Sequence, residues 1–375
     1  MIVVGLLSAL LSAAYLVTAV VVRRGTSRRA LLSPHGATPT MSVVIAARDE
    51  EGRIAACLGS LRRQDYPDGR WEVVVVDDRS HDATGEIVRR MADGWPALRL
   101  VRIDACPPEL AGKQHALAVG VSTTRGDIIA MTDADCTVPS DWLARLAGAF
   151  GPGVGVVAGL ATLPPPRSAW ECLQQADLDL LGATQWGLTG LGLALTASGN
   201  NLAVRREAYD AVGGYAALGR AIVEDCALVT RIARTARWRV RVVPPPTAAV
   251  TTEPLPTLGD FLHQRARWAS AIRFLRGWRL AFLSSILAQR VAVLAATALW
   301  LGGALDGRWP LAAWLAWVLA DACLIERTGH AFGHRGILRW SPAVTLWQAV
   351  YHPLVGFWSG LLRRRIIWKG QSYRC

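Results

Sequence analysis

The chain has 375 residues, 52% of them hydrophobic and 19% charged, with a formal net charge of +12 and a mean hydropathy of +0.26. That balance is too apolar for an ordinary soluble protein and too charged for a bundle of membrane helices alone, so a soluble domain carrying membrane segments fits best. The arginines argue against nucleic acid as partner, because no basic stripe interleaved with aromatics crosses the centre of the chain; Arg23, Arg24, Arg28 and Arg29 follow the first apolar run, and Arg363, Arg364, Arg365 and Lys369 follow the last, as suits an anionic membrane surface.

Residues 1–22 are apolar except for Ser8, Ser12, Tyr15 and Thr18, long enough to cross a hydrocarbon layer of about 30 Å as a helix. A cleaved signal peptide carries its positive charge before the apolar run, whereas here the arginines come after it. The expectation is an uncleaved N-terminal transmembrane anchor with its Arg23 end in the cytoplasm.

From residue 41 to about 150, short β-branched runs at 42–47, 72–76, 98–103 and 127–131 alternate with helix-period segments at 53–64, 83–92 and 113–124. This predicts parallel strands joined by crossover helices in an open, mostly parallel, Rossmann-like α/β sheet. The unbroken apolar stretch 73–76 fits a strand buried on both faces. Acidic pairs fall at the ends of three runs: Asp49 with Glu50, Asp77 with Asp78, and Asp133 with Asp135. Strand carboxyl ends rim the ligand crevice of such sheets, so six carboxylates are expected to converge there. Helix capping, by Ser80, Asp82 or Ser140, explains one acid per turn but not a pair at each of three.

Read as strand residues i and i+2, Asp133 and Asp135 project to one side and present oxygens to one point. Two carboxylates that close repel unless a cation lies between them. A hard divalent ion such as Mg²⁺ or Mn²⁺, which keeps open positions for substrate phosphates, suits the pair. A dinucleotide oxidoreductase would need G-x-G-x-x-G after the first strand, where this chain has Ala46-Ala-Arg-Asp-Glu50; the cluster Gly187-Leu-Thr-Gly-Leu-Gly192 has the wrong spacing and follows no strand.

Further on, Glu224 and Asp225 form an acidic dyad, and Gln264, Arg267 and Trp268 stand at i, i+3 and i+4, on one helical face. Apolar runs at 286–305 and 311–325 read as a hairpin of two membrane spans, the second short and containing Asp321. A third run, 343–362, is interrupted by His352-Pro353 and flanked by basic residues on both sides, which favours an interfacial or re-entrant helix over a crossing. His330 and His334 could share a helical face, but with no third ligand nearby they read as part of a basic cytoplasmic loop. The seven cysteines are odd in number and without a C-x-x-C pair, and read as reduced thiols filling small apolar sites in a cytosolic domain.

The motifs VVIAARDE (43–50), VVVDDRS (74–80), AGKQHAL (111–117), TDADC (132–136), GNNLAVRREAYDAVGGY (199–215) with VEDCAL (223–228), and QRARW (264–268) resemble, in that order, those of the inverting glycosyltransferases of family 2. The similarity is greatest to membrane-bound members related to ceramide, hopanoid-associated and carotenoid glycosyltransferases, and covers about residues 41–279. Asp49 and Ala46 depart from the commoner Asn and Pro of the opening motif. The resemblance implies a GT-A fold over 41–280, between the anchor at 1–22 and a C-terminal membrane region at 286–375. It implies donor contacts from Glu50, Asp77, Asp78, Lys113, Asp133, Gln264, Arg267 and Trp268, a metal held by Asp133 and Asp135, and Asp225 as catalytic base with Glu224 beside it. The closing segment IIWKGQSY (366–373) resembles a tail of the lipid-directed members.

The expected activity is transfer of a sugar from a nucleotide donor, a UDP-sugar, to a lipid hydroxyl by an integral protein of a bacterial-type inner or plasma membrane with a cytoplasmic catalytic domain. A polyprenyl phosphate acceptor stays open, although an ionised phosphate would not need Asp225. Polysaccharide synthesis fits less well, since so few spans enclose little channel. A non-catalytic nucleotide-sugar-binding scaffold is the rival from another class.

Overall fold

Valines 73–76 are fully buried, and their neighbours alternate: Val73 and Val75 join the cluster with Val43, Ile45 and Leu58 on one face, while Val74 and Val76 join Ala116 on the other. A strand covered on both sides has no solvent face to alternate with, which is why this run is apolar throughout. The computed structural model describes residues 1–27, 38–195, 197–360, 365–368 and 371–374, with side chains up to residue 356. Arg28, Arg29, Arg363, Arg364 and Lys369 lie outside the described residues, as does Cys375.

In chain order the elements are α1 (Ile2–Gly25), β1 (Met41–Ala47), α2 (Ile54–Arg62), β2 (Trp71–Asp78), α3 (Thr84–Ala92), β3 (Leu98–Ile103), α4 (Gly112–Ser122), β4 (Ile128–Met131), β5 (Cys136–Thr137) and α5 (Trp142–Gly148). There follow β6 (Val154–Ala158), β7 (Ala161–Thr162), α6 (Ala169–Gly190), β8 (Leu202–Arg205), α7 (Arg206–Asp210), α8 (Glu224–Arg234), β9 (Arg239–Val242), β10 (Val250–Thr252) and α9 (Leu258–Ala269). Then come α10 (Trp278–Leu301), α11 (Arg308–Phe332), α12 (Ser341–Gly360) and the strands β11 (Arg365–Trp368) and β12 (Gln371–Arg374).

The main sheet has the order β3-β2-β1-β4-β8-β6-β9. β1 is parallel to both β2 and β4, and β2 to β3; β8 alone runs antiparallel to its neighbours β4 and β6. The chain winds outward from β1 to β3, then returns to lay β4 on the opposite side of β1. That reversal opens a crevice beyond the carboxyl ends of β1 and β4. A small sheet, β5-β10-β7, covers the region just past β4. Of the tail segment, residues 366–368 lie in β11 and 371–373 in β12, which pair antiparallel.

Three helices among the described residues are long and apolar enough to cross a membrane: α1, α10 and α11. α10 begins at Trp278, well before the apolar run that marks it in the sequence. α12 is a single helix with Pro353 inside it. Asp321, unexpected in an apolar run, is fully buried and accepts hydrogen bonds from the Tyr15 hydroxyl (2.9 Å) and Thr345 Oγ1 (2.6 Å), so its charge is satisfied between α1, α11 and α12. Two glycines of the cluster at 187–192 serve packing: a Cβ on Gly187 would stand 2.2 Å from the Val22 carbonyl oxygen, and one on Gly190 2.1 Å from that of Gly25. Glycine here lets α6 and α1 touch backbone to backbone.

One expectation is corrected. His330 belongs to α11, which extends to Phe332. His334 stands in the loop after α11, where its Nδ1 is 3.0 Å from Asp179 Oδ2 and its Nε2 3.2 Å from Thr162 Oγ1, which joins the end of α11 to α6 and β7. The described cysteines are all free; Cys57, Cys136 and Cys226 are buried, while Cys106, Cys172 and Cys323 are partly open.

Candidate active site

The turns after β1 and β2 are stapled to one another. Asp49 and Arg79 both adopt positive φ, 52° and 58°, a strained conformation for side chains other than glycine. Cross-turn hydrogen bonds hold them there: Asp49 N donates to Ser80 Oγ (3.1 Å), His81 N to Asp49 Oδ1 (2.8 Å), and Glu50 N to Thr84 Oγ1 (2.8 Å). Asp77 is fully buried; its Oδ1 accepts from Ser80 N (3.0 Å) and its Oδ2 lies 3.6 Å from Arg102 Nη1. Asp49 and Asp77 therefore help to shape the turns, each with one carboxylate oxygen. Asp78, gripped by Arg79 Nε at 2.7 Å, lies within electrostatic reach of Cys106, as do Arg48, Arg79 and Arg220. Glu50 faces the Cys57 thiol together with Asp133 and Asp135; burial first, and then these three charges, hold that thiol protonated.

Asp133 and Asp135 do come together, but not as strand neighbours. β4 ends at Met131, and the pair occupies the turn leading into β5. Their carboxylates and Cys136 Sγ lie within 4.8 Å of one another. Burial, followed by the two carboxylates, pushes the Cys136 thiol far above its usual range, so the available donors are hard carboxylate oxygens. A partly open pair of such oxygens suits Mg²⁺ or Mn²⁺ with its remaining positions left to phosphate and water.

Behind this pair stands a cluster assembled from three elements. Lys113, in the first turn of α4, places Nζ 2.6 Å from Asp133 Oδ1 and 3.3 Å from Glu224 Oε1. Burial works against its charge, but those two carboxylates outweigh it and hold the ammonium above its ordinary pKa. Glu224 and Asp225 open α8, so the helix-terminus reading and the acidic-dyad reading describe the same residues. Asp225 accepts from Gly199 N through Oδ2 and from Cys226 N through Oδ1, each at 2.7 Å. A Cβ on Gly199 would stand 2.7 Å from that Oδ2, which accounts for glycine at the head of the GNN segment. Burial, then the neighbouring Glu224 charge, raise the Asp225 pKa to about 6, with Lys113 and Arg267 pulling the other way. A carboxylate so tuned is ionised at neutral pH and still a competent proton acceptor.

Arg267 reaches this cluster from α9, close enough to act on the charges of both Lys113 and Asp225. Gln264 and Trp268 share α9 with it, and the residue between them in the motif, Arg265, is a component the sequence reading missed. Arg265 is buried, contacts Gln264 Oε1, and lays its guanidinium over the Trp268 ring at 4.3 Å. A sugar could stack only on the opposite face of that ring. Asp177 of α6, also absent from the sequence reading, receives Arg265 Nη2 at 2.6 Å; an acid in the middle of an amphipathic stretch gives no local sign of its distant partner.

Compared with known proteins, the chain matches the family model of glycosyl transferase family 21 over residues 3–375. It is 33% identical over 249 residues to a β-monoglucosyldiacylglycerol synthase of Trichormus variabilis, covering 65% of this chain and 52% of the relative. It is 34% identical over 246 residues to a protein of the same name from Synechocystis, covering 64% and 50%. The chain thus spans about half the length of these curated relatives. Among solved structures, a mannosyltransferase of Pyrobaculum calidifontis in complex with GDP-Man and Mn²⁺ superposes with a TM-score of 0.61 at 21% identity, covering 95% of this chain and 99% of the other. That likeness shows the glycosyltransferase-type α/β fold.

Proposed function

This chain belongs to glycosyl transferase family 21, in place of the family 2 expected from the resemblance of its motifs, and from that membership we propose that it is a membrane-bound glycosyltransferase moving a sugar from a UDP-sugar to a lipid hydroxyl with inversion. The observation that carries the reading is the Asp225 carboxylate beside Glu224, Lys113 and Arg267, with Lys113 also paired to Asp133. Asp225 takes the proton of the acceptor hydroxyl as its oxygen attacks the anomeric carbon from the face opposite the diphosphate. The C–O bond to the diphosphate breaks, its electrons pass to the leaving group, and Lys113 and Arg267 balance the charge that develops there.

Asp133 and Asp135 would hold Mg²⁺ or Mn²⁺, which when bound supplies further positive charge to the donor diphosphate. Asp78 and Glu50 lie on the nucleotide side of the crevice; the uridine assignment rests on the motif resemblance. The names of the relatives support a glucosyl donor and a diacylglycerol acceptor. An already ionised polyprenyl phosphate would leave Asp225 without a proton to remove, which favours a neutral alcohol. α1, α10 and α11 cross the membrane in this reading, with the crevice at its cytoplasmic surface.

The test is UDP release by the purified, detergent-solubilised protein from UDP-glucose, UDP-galactose and UDP-N-acetylglucosamine, with and without Mn²⁺ and diacylglycerol. Release that needs both metal and lipid, and that vanishes in Asp135→Ala, is the expected result. Absence of both turnover and metal-dependent UDP binding would overturn the reading.

A further inference from the structure

Among the described residues, the most buried ion pair joins Asp177 and Arg265. Asp177 on α6 is fully buried, and Arg265 on α9 nearly so. The two Asp177 oxygens serve different helices: Oδ2 receives Arg265 Nε (3.1 Å) and Nη2 (2.6 Å), while Oδ1 receives Gln348 Nε2 (2.9 Å) and the Tyr351 hydroxyl (2.8 Å) from α12. Gln348 Oε1 in turn accepts from Arg290 Nη2 of α10 at 3.3 Å. On its other side the Arg265 guanidinium contacts Gln264 Oε1 and lies 4.2 Å from the Phe261 ring and 4.3 Å from the Trp268 ring. One carboxylate thus joins the membrane-side helices α10 and α12 to the helix face that carries Gln264, Arg267 and Trp268.

An isolated buried charge pair is a poor stabiliser compared with apolar packing, and its better use is to fix one arrangement among several. We propose that Asp177 is a positioning residue for the donor clamp, setting through Arg265 the orientation of Gln264 and Trp268 on α9, with that setting referenced to the membrane-side helices rather than to the nucleotide-binding sheet. The inference rests on the glycosyltransferase reading above. Arg265 stacks as a plane between Phe261 and Trp268, so lysine, which keeps the charge but not the plane, cannot replace it. Asparagine at 177 keeps the shape but removes the charge that draws the guanidinium in.

The experiment measures UDP-glucose turnover and Mn²⁺-dependent UDP binding for the full-length protein in detergent, as wild type, Asp177→Asn, Arg265→Lys and the double variant. Both single variants are expected to raise KM for the donor and Kd for UDP about tenfold while kcat stays within about threefold. The double variant is expected to be no worse than the poorer single one, because the two residues act as one unit. Should Asp177→Asn fail to fold, Arg265→Lys carries the test, since it keeps a cation opposite Asp177. Unchanged donor KM in folded variants, a fall in kcat alone, or losses that multiply in the double variant would overturn the inference while leaving the enzyme reading intact. A wild type that neither binds UDP nor turns over donor would overturn both.

Discussion

Replacing Asp225 with asparagine should improve the fold and abolish the activity. The carboxylate titrates near 6 in the folded chain against an ordinary value of 3.8, because burial and the Glu224 charge both disfavour its ionised form. Its folded pKa is the higher one, so wild type loses stability as pH rises from about 4 to about 6, by about 3 kcal/mol at about 1.4 kcal/mol per tenfold change in proton affinity. Asparagine escapes that cost, and like the protonated carboxyl it offers one carbonyl oxygen to the N–H groups of Gly199 and Cys226, whose bonding to the carboxylate is already contained in the shift. The net expectation is a gain of up to about 3 kcal/mol above pH 7 that disappears below about pH 4. Losing a general base should meanwhile lower kcat by about 10²–10⁴-fold. Thermal melts of both proteins at pH 8 and pH 4, alongside turnover with UDP-glucose and diacylglycerol, read the two effects together. A variant less stable than wild type at pH 8, or one keeping kcat within about threefold, would refute the reasoning.

Other consequences follow from the same geometry. The wild-type rate should fall as pH drops through about 6, the Asp225 pKa, as a kcat/KM profile with saturating metal would record. In Lys113→Met that limb should move to higher pH, because the ammonium lowers the Asp225 pKa, and donor KM should rise; an unmoved limb would detach Lys113 from the base. Chelation with EDTA should abolish turnover, and Mn²⁺ or Mg²⁺ should restore it in wild type but not in Asp135→Ala. Gly187→Leu drives a Cβ to 2.2 Å from the Val22 carbonyl oxygen and should cost about 3 kcal/mol or more by forcing α1 from α6, seen as a lower Tm in detergent.

The parts of this molecule legible in its sequence are those whose signal is local. Strands β1 and β2 announce themselves because both faces are buried and the residues are apolar and mostly β-branched, β3 shows as a short apolar run at the sheet edge broken by the exposed Arg99 and Arg102, and Asp133 with Asp135 are recognisable as a pair whatever backbone carries them. That they sit in a turn rather than on β4 changes the geometry but not the convergence. Asp49 and Asp77 show a role that the sequence does not display: acids at strand ends serve turns, and only the hydrogen bonds from His81 N and Ser80 N reveal it. The antiparallel insertion of β8 between β4 and β6 has no local mark, since strand direction is set by the long connections on either side. Asp177 and Arg265 were equally hidden, being partners 88 positions apart, and a buried charge reads like a surface one until its surroundings are known.

Incubation of the detergent-solubilised wild type and Asp225→Asn with radiolabelled UDP-glucose, Mn²⁺ and diacylglycerol, followed by phase extraction and NMR of the organic product, tests the central claim most directly. The account predicts label in the lipid phase with wild type alone, as a glycoside whose anomeric configuration is opposite to that of the donor. Label confined to the aqueous phase, a product that retains the donor's configuration, or equal transfer by Asp225→Asn would contradict it.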